Sequence, residues 1–294
     1  MLATVGTVLV YTFLLGSLYL LVSLGFSLIT GVLKIFHFGY GYLFLGAIYF
    51  TWMFMDVFHL PLGWAILAMF ALQAVLAYIL YKFILVPFRF KQDEEFMFVM
   101  TVIFIALILQ LGADVFYPVY KGVYLETTVF PGTSQIGPIT VSNQLLFAAG
   151  VGIVMTLLFV LFFTKTKMGL AVRAISYDIY SSRILGINVE QLFMIVFLMT
   201  IVPPIVAILT VAPIWAIDSS IGQAYLGIAI LIAVLGGLGN LKGTIIASYL
   251  IAFCHAFVAF ALHEPRLMSL AALIVVFFVL ILRPEGIIRT KSVW

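Results

Sequence analysis

Nine stretches of this 294-residue chain are apolar and almost free of charge: 5–30, 38–57, 61–85, 95–116, 143–163, 190–212, 221–239, 243–262 and 267–283. A helix needs about 20 such residues to span the hydrocarbon core of a bilayer. The runs are continuous rather than alternating. That selects helices over a β-barrel, because a helix satisfies its backbone N–H and C=O groups internally. Only 9% of the residues are charged and the mean hydropathy is +1.29, against about 25% charged residues in a soluble domain. A water-facing surface cannot be built from this sequence. The expected fold is an all-α integral membrane protein, a polytopic bundle of eight or nine spans forming one domain over 1–294.

The basic residues lie between the apolar runs. Arg89 and Lys91 follow the third, Lys165, Lys167, Arg173 and Arg183 follow the fifth, and Arg283, Arg289 and Lys291 follow the ninth. Basic loops stay in the cytoplasm. Nine crossings put all three clusters, and Lys34, on that side, with the N-terminus outside and the C-terminus cytoplasmic. Stretch 221–239 is short and Gly-rich. If it re-entered without crossing, eight crossings would remain and the C-terminus would change sides. Residues 117–142 then form an extracytoplasmic loop, whose Pro-Gly and Gly-Pro turns between β-branched pieces predict a small hairpin. Trp52, Trp64, Tyr117, Tyr120 and Trp215 fall near predicted membrane ends, where amphipathic rings prefer to sit. The first basic residue is Lys34, so the positive n-region of a signal peptide is absent and the first run reads as a retained helix.

Catalytic and cofactor patterns are missing. "GGLGNLKGT" (236–244) places Lys before Gly and makes no phosphate-cradling loop. No nucleophile-elbow G-x-S-x-G occurs. His37, His59, His255 and His263 are dispersed and suggest no metal site, and Cys254 lies inside an apolar run and reads as packing. Acidic residues sit mostly at segment ends, with Asp114 the deepest, so no interior carboxylate marks an ion-driven mechanism. An intramembrane enzyme is therefore not expected, no metal or cofactor is expected in this chain, and the energy for any pumping would have to come from elsewhere.

Against this background "KTKMGLAVRAISYDIYSSRILGINVEQL" (165–192) stands out. Ala171, Ala174, Ile175, Ile179, Ile184 and Leu185 recur at helical spacing and predict a short amphipathic helix. Gly186 suits its C-cap, and Asn188 suits the N-cap of the next span. Such a corner either docks a partner or lies on lipid headgroups as a basic interfacial helix.

"RAISYDIYSSRILGIN" resembles the cytoplasmic loop of permease subunits of branched-chain amino acid ABC importers. Arg173, Ala174, Asp178, Leu185, Gly186, Ile187 and Asn188 match its pattern, and Tyr177 replaces a frequent acidic residue. Three further motifs carry the resemblance in order along the chain. These are "GSLYLLVSLGFSLITGVLKIFHFGYGYLFLGAIYF" (16–50), "LGIAILIAVLGGLGNLKGTIIASYLI" (226–251) and "LRPEGI" (282–287). In the first, the family's histidine is displaced and its asparagine replaced. The resemblance implies a permease subunit moving branched-chain or related amino acids across the plasma membrane, with 165–190 as the ATPase-coupling loop and Arg183 inside it. It implies a second permease subunit, two cytoplasmic subunits that bind ATP, and an extracytoplasmic binding protein. No nucleic-acid partner is implied. A self-sufficient facilitator for a small neutral solute would use the same glycine-rich spans, but it would not need the loop.

For the passage, the residues singled out are Gly39, Gly41, Gln110, Pro203, Pro204, Gly237 and Gly239. Interrupted helices expose backbone dipoles to polar substrates, and Pro203-Pro204 predicts a kink in the sixth span. Glycine spacing also serves close helix packing, and Gln110 and Gln73 also suit bonds to a neighbouring helix.

Overall fold

The computed structural model describes residues 2–88, 93–117, 125, 128–214 and 218–288. Arg89, Lys91, Tyr120, Trp215, Arg289 and Lys291 lie outside the described residues. The long helices are α1 (Leu2–Leu28), α2 (Gly41–Trp52), α3 (Leu62–Leu80), α5 (Glu94–Phe116), α6 (Asn143–Lys165), α9 (Val189–Met199), α10 (Val202–Val211), α11 (Ile221–Gly236), α12 (Leu241–Phe260) and α13 (Met268–Leu282). Short α4 (Val86–Phe88) follows α3, and α7 (Lys167–Tyr177) and α8 (Ile179–Ile184) join α6 to α9. A hairpin of β1 (Thr133–Ile136) and β2 (Ile139–Ser142) precedes α6, with Thr133 opposite Ser142. Its turn is Gly137-Pro138, within the loop where the sequence predicts one.

Among the described residues eight helical segments are long and apolar enough to cross a membrane, and α11, at 16 residues, is shorter. At 1.5 Å per residue it spans about 24 Å, less than a hydrocarbon core of about 30 Å. The contacts nonetheless carry it between the two ends of the bundle. The Gln144 side chain at the start of α6, beside the hairpin, donates to the Thr210 carbonyl at 2.8 Å, so α10 finishes at the hairpin end. Beyond α11, Gly239 lies against Gly31, the Ile287 N–H bonds the Leu235 carbonyl at 2.8 Å, and Gly237 adjoins Ile288. These mark the opposite end, which also holds Lys34 and α7–α8. Among the described residues the chain therefore passes between the ends nine times, once through a helix too short to span alone.

The first helix is the axis of the fold. It runs antiparallel to α12 along a polar seam. Ser27 and Thr244 hydroxyls meet at 2.8 Å, Tyr19 Oη and His255 Nδ1 at 2.8 Å, and Ser17 and Tyr249 hydroxyls at 3.1 Å. In lipid the hydrophobic effect does not drive helices together, so small residues and interhelical hydrogen bonds must do it. The backbones of Gly236 and Gly243 touch at the base of α11 and α12, where any side chain would collide with the facing main chain. Around α1 pack α6, α10 and α11, burying Leu21, Leu24, Phe26 and Ile29.

Two helices depart from straight spans. The predicted span 190–212 is two helices, α9 and α10, parted at Thr200–Ile201. Pro203 and Pro204 sit in the first turn of α10. Proline has no N–H, so Pro204 cannot bond the Thr200 carbonyl four residues back. That freed oxygen abuts Gly25 of α1. Between α1 and α2, residues 34–37 leave the helix, and a 3-10 turn (Phe38–Tyr40) restarts it. The Tyr40 hydroxyl donates to Val22, more than one helical turn before the end of α1. The second span thus begins inside the bundle rather than at its rim.

Candidate functional site

Two places on the molecule carry most of the residues that the sequence singles out. The first is the corner 165–190. Thr166 caps α7 by accepting from the Gly169 N–H at 3.0 Å. The sequence predicts one helix through to Gly186, but the structure has two. Asp178 takes an extended conformation (φ −152°, ψ 112°) and caps α8, accepting from the Tyr180 N–H at 2.9 Å and from the Ser181 hydroxyl. An aspartate bonds a backbone N–H two residues on more readily than it continues a helix, so the break falls there. The Ser181 hydroxyl, with the N–H groups of Ser181 and Tyr180, holds the Asp178 carboxyl below its usual range.

Gly186 adopts a left-handed conformation (φ +81°) past the end of α8, and Asn188 Oδ1 accepts from the Gln191 N–H at 3.1 Å to start α9. The Arg173 guanidinium reaches the Thr164 carbonyl at 3.5 Å, and Ala174 is half-buried in α7. The corner's inner face is anchored by buried Val172, Ile175 and Ser182. Its outer face shows Tyr177, Tyr180, Ile184 and Leu185, the last three more than 70% exposed. Arg183 is exposed on α8 beside them. The corner thus turns large apolar side chains outward between two capped helix starts.

The second place lies where α2, α5 and α11 meet, buried on its His37 side and open to the surface on its Gln223 side. Gly41 and Gly222 touch main chain to main chain. A Cβ on Gly41 would stand 2.6 Å from the Gly222 carbonyl oxygen. Only glycine on both sides permits this approach. The contact sets the height of the next residue, Gln223, whose Nε2 donates to Gln110 Oε1 of α5 at 2.8 Å. Gly39 packs on Val102 and the His37 ring. His37 is fully buried among Tyr42, Phe98 and Phe197, and neither of its ring nitrogens has a partner among the described residues. Beside this cluster an apolar cleft of about 610 Å³ opens between α2 and α5, lined by Tyr42, Tyr49, Trp52, Phe116 and Tyr117 among others.

The structure thus brings Gly39, Gly41 and Gln110 to one locus. It places Pro203 and Pro204 at the α9–α10 break, buried. Gly237 and Gly239 form the turn at the base of α11, against Ile288 and Gly31. They lie with "LRPEGI": Gly286, itself left-handed (φ +84°), sits on Gly237. Sequence reasoning did not single out Gln223, Gly222 or Tyr40. The available signal was weak: Gln223 is one of the few carboxamides in an apolar stretch.

Known proteins bear out the fold. PsaBC from Streptococcus pneumoniae, solved in complex with a Fab, aligns over 96% of this chain and 92% of its own, with a TM-score of 0.50 at 13% identity. The high-affinity branched-chain amino acid transport system permease protein BraD of Pseudomonas aeruginosa is 24% identical over 299 residues, covering 95% of this chain and 94% of BraD. The model of the family described as "Branched-chain amino acid transport system / permease component" matches residues 8–282, and the chain belongs to that family, as a multi-pass integral membrane protein.

Proposed function

We propose that this chain is the transmembrane permease subunit of an ATP-driven ABC importer for branched-chain or related amino acids. Family membership supports the substrate class. The observation that carries the coupling role is the capped corner α7–α8, which turns Tyr177, Tyr180, Ile184 and Leu185 outward. In this reading the corner is cytoplasmic, the hairpin is extracytoplasmic, and the N- and C-termini lie outside and inside respectively. The corner, from Arg173 and Ala174 through Asp178 and Arg183 to Leu185, Gly186 and Asn188, inserts into an ATP-binding subunit. Two such subunits hold the ATP, this chain holds no cofactor, a second permease chain completes the passage, and an extracytoplasmic protein delivers substrate. Gly39, Gly41, Gln110 and the kinked segment at Pro203-Pro204 approach the passage, and Gly237 and Gly239 fix the base of α11 beside it.

The test is co-purification from native membranes of the intact chain, of a Leu185→Asp variant and of a Gly186→Trp variant. Leu185→Asp leaves every cap in place, and Gly186→Trp strains the left-handed turn. Recovery of ATP-binding subunits with the intact chain, and their loss from both folded variants, is the expected result. An intact chain that purifies without them and passes solute in liposomes without nucleotide would sink the proposal.

A further inference from the structure

The Gln110–Gln223 pair has more hydrogen-bonding capacity than it uses. The one bond joining the two side chains takes a donor of Gln223 and the carbonyl of Gln110. It leaves the Gln110 amide N–H₂ and the Gln223 carbonyl oxygen, one donor group and one acceptor, without a protein partner among the described residues. The pair is not buried. Gln223 and Ala224 are exposed, and the space beside Gly227, one turn further on, is open. An unmatched amide facing hydrocarbon costs several kcal/mol, so this surface faces something polar. Its height is fixed from behind by the Gly41–Gly222 contact. Its position, 16 residues into α5, is about 24 Å from the Glu94 end, which puts it in the half nearer the hairpin.

We infer that this pair is a contact for the zwitterionic head of an α-amino acid in transit, with the Gln110 amide N–H₂ donating to the substrate carboxylate and the Gln223 carbonyl accepting from its ammonium. The inference rests on the permease reading above. Two neutral amides suit a carrier: they recognise both ends of a zwitterion yet hold neither with a full opposite charge. A passage must bind its cargo well enough to admit it and loosely enough to release it.

A purely structural role predicts a different pattern, and two isosteric substitutions separate them. Gln110→Glu keeps the acceptor that Gln223 uses but replaces the donor aimed at the carboxylate with a like charge. Gln223→Glu loses the donor that joins the helices but keeps the acceptor aimed at the ammonium. Both variants are assayed as the intact complex in proteoliposomes, with ATP-driven uptake of a branched-chain amino acid as the readout. A hydrogen bond to a charged group is worth about 1.5–3 kcal/mol, so Gln110→Glu is expected to raise KM by tenfold or more. Gln223→Glu is expected to leave KM within a few-fold of wild type. The KM penalty of Gln110→Glu is expected to vanish for the substrate's carboxamide analogue, which has no carboxylate. The opposite ranking, or equal KM values for wild type and both variants, would overturn the inference and leave the pair as a helix–helix bond. Uptake by the wild-type chain with no ATP-binding subunit attached would remove the permease reading and this inference with it.

Discussion

The seam between α1 and α12 and the meeting place of α2, α5 and α11 solve the same problem in opposite ways. Along the seam, hydroxyls are paired at 2.8–3.1 Å across the two helices, and among the described residues only His255 Nε2 goes unmatched. At the meeting place, both ring nitrogens of His37 and the Tyr42 hydroxyl are buried without a partner among the described residues. Each unmatched group costs about 1–3 kcal/mol. The seam is therefore a fixed backbone for the molecule. The meeting place, where α2 restarts inside the bundle and α11 is short, is the part with bonding capacity left to satisfy in another arrangement. A carrier needs both kinds of region, because one body must stay rigid while another moves against it.

Substitutions can break or sharpen this comparison. The largest effect is expected at the glycine contact. Gly41→Leu drives a side chain into the Gly222 main chain, which cannot retreat, and overpacking of this kind costs about 1–3 kcal/mol or more. The variant should fail to reach the membrane as a monodisperse protein in detergent. Normal assembly would show that the contact is loose.

Next comes the seam. Tyr19→Phe removes the bond to His255 and should lower thermal stability by about 1 kcal/mol. In contrast, His37→Phe removes two unmatched nitrogens from an aromatic cage and should leave stability unchanged or raised. If both substitutions destabilised equally, the distinction between the regions would collapse.

The smallest effect belongs to the corner. The folded-state pKa of Asp178 is lowered, so its capping contribution is present above the ordinary carboxylate range and lost as pH falls through the lowered value. Amide protection over 179–184, taken relative to the intrinsic exchange rate at each pH, should therefore fall only in acid for the wild type, and be low at neutral pH already for Asp178→Ala. An identical exchange profile for the two would show that the cap does not hold α8.

Much of this architecture was legible from residue type and local spacing. Apolar runs located the eight helical segments long enough to cross a membrane and the shorter α11, because membrane burial is dictated segment by segment. Gly186 and Asn188 were legible as caps because left-handed backbone and side-chain capping are local chemistry. The break at Asp178 was not legible: its neighbours keep helical spacing, and only the competition between a carboxylate cap and a helix decides it. Gln110 stood out as an isolated amide, but its partner lies 113 residues away. Nothing in one-dimensional spacing couples them, and the coupling comes from the Gly41–Gly222 approach. The histidine of the first junction was legible as displaced. That it would end up caged without a bond depended on α5 and α9 closing over it.

The base of α11 has a consequence for the order in which the protein is made. The Leu235 carbonyl is capped by the Ile287 N–H, and Gly237 is flanked by Glu285 and Ile288. The segment supplying these groups leaves the ribosome after every one of the nine passages. Until then α11 has an open lower end, and the insertion machinery must shelter a helix too short to anchor itself. Release of truncated chains ending at Leu282 should therefore yield protein that inserts but is degraded. Adding back residues 283–288 should restore its lifetime.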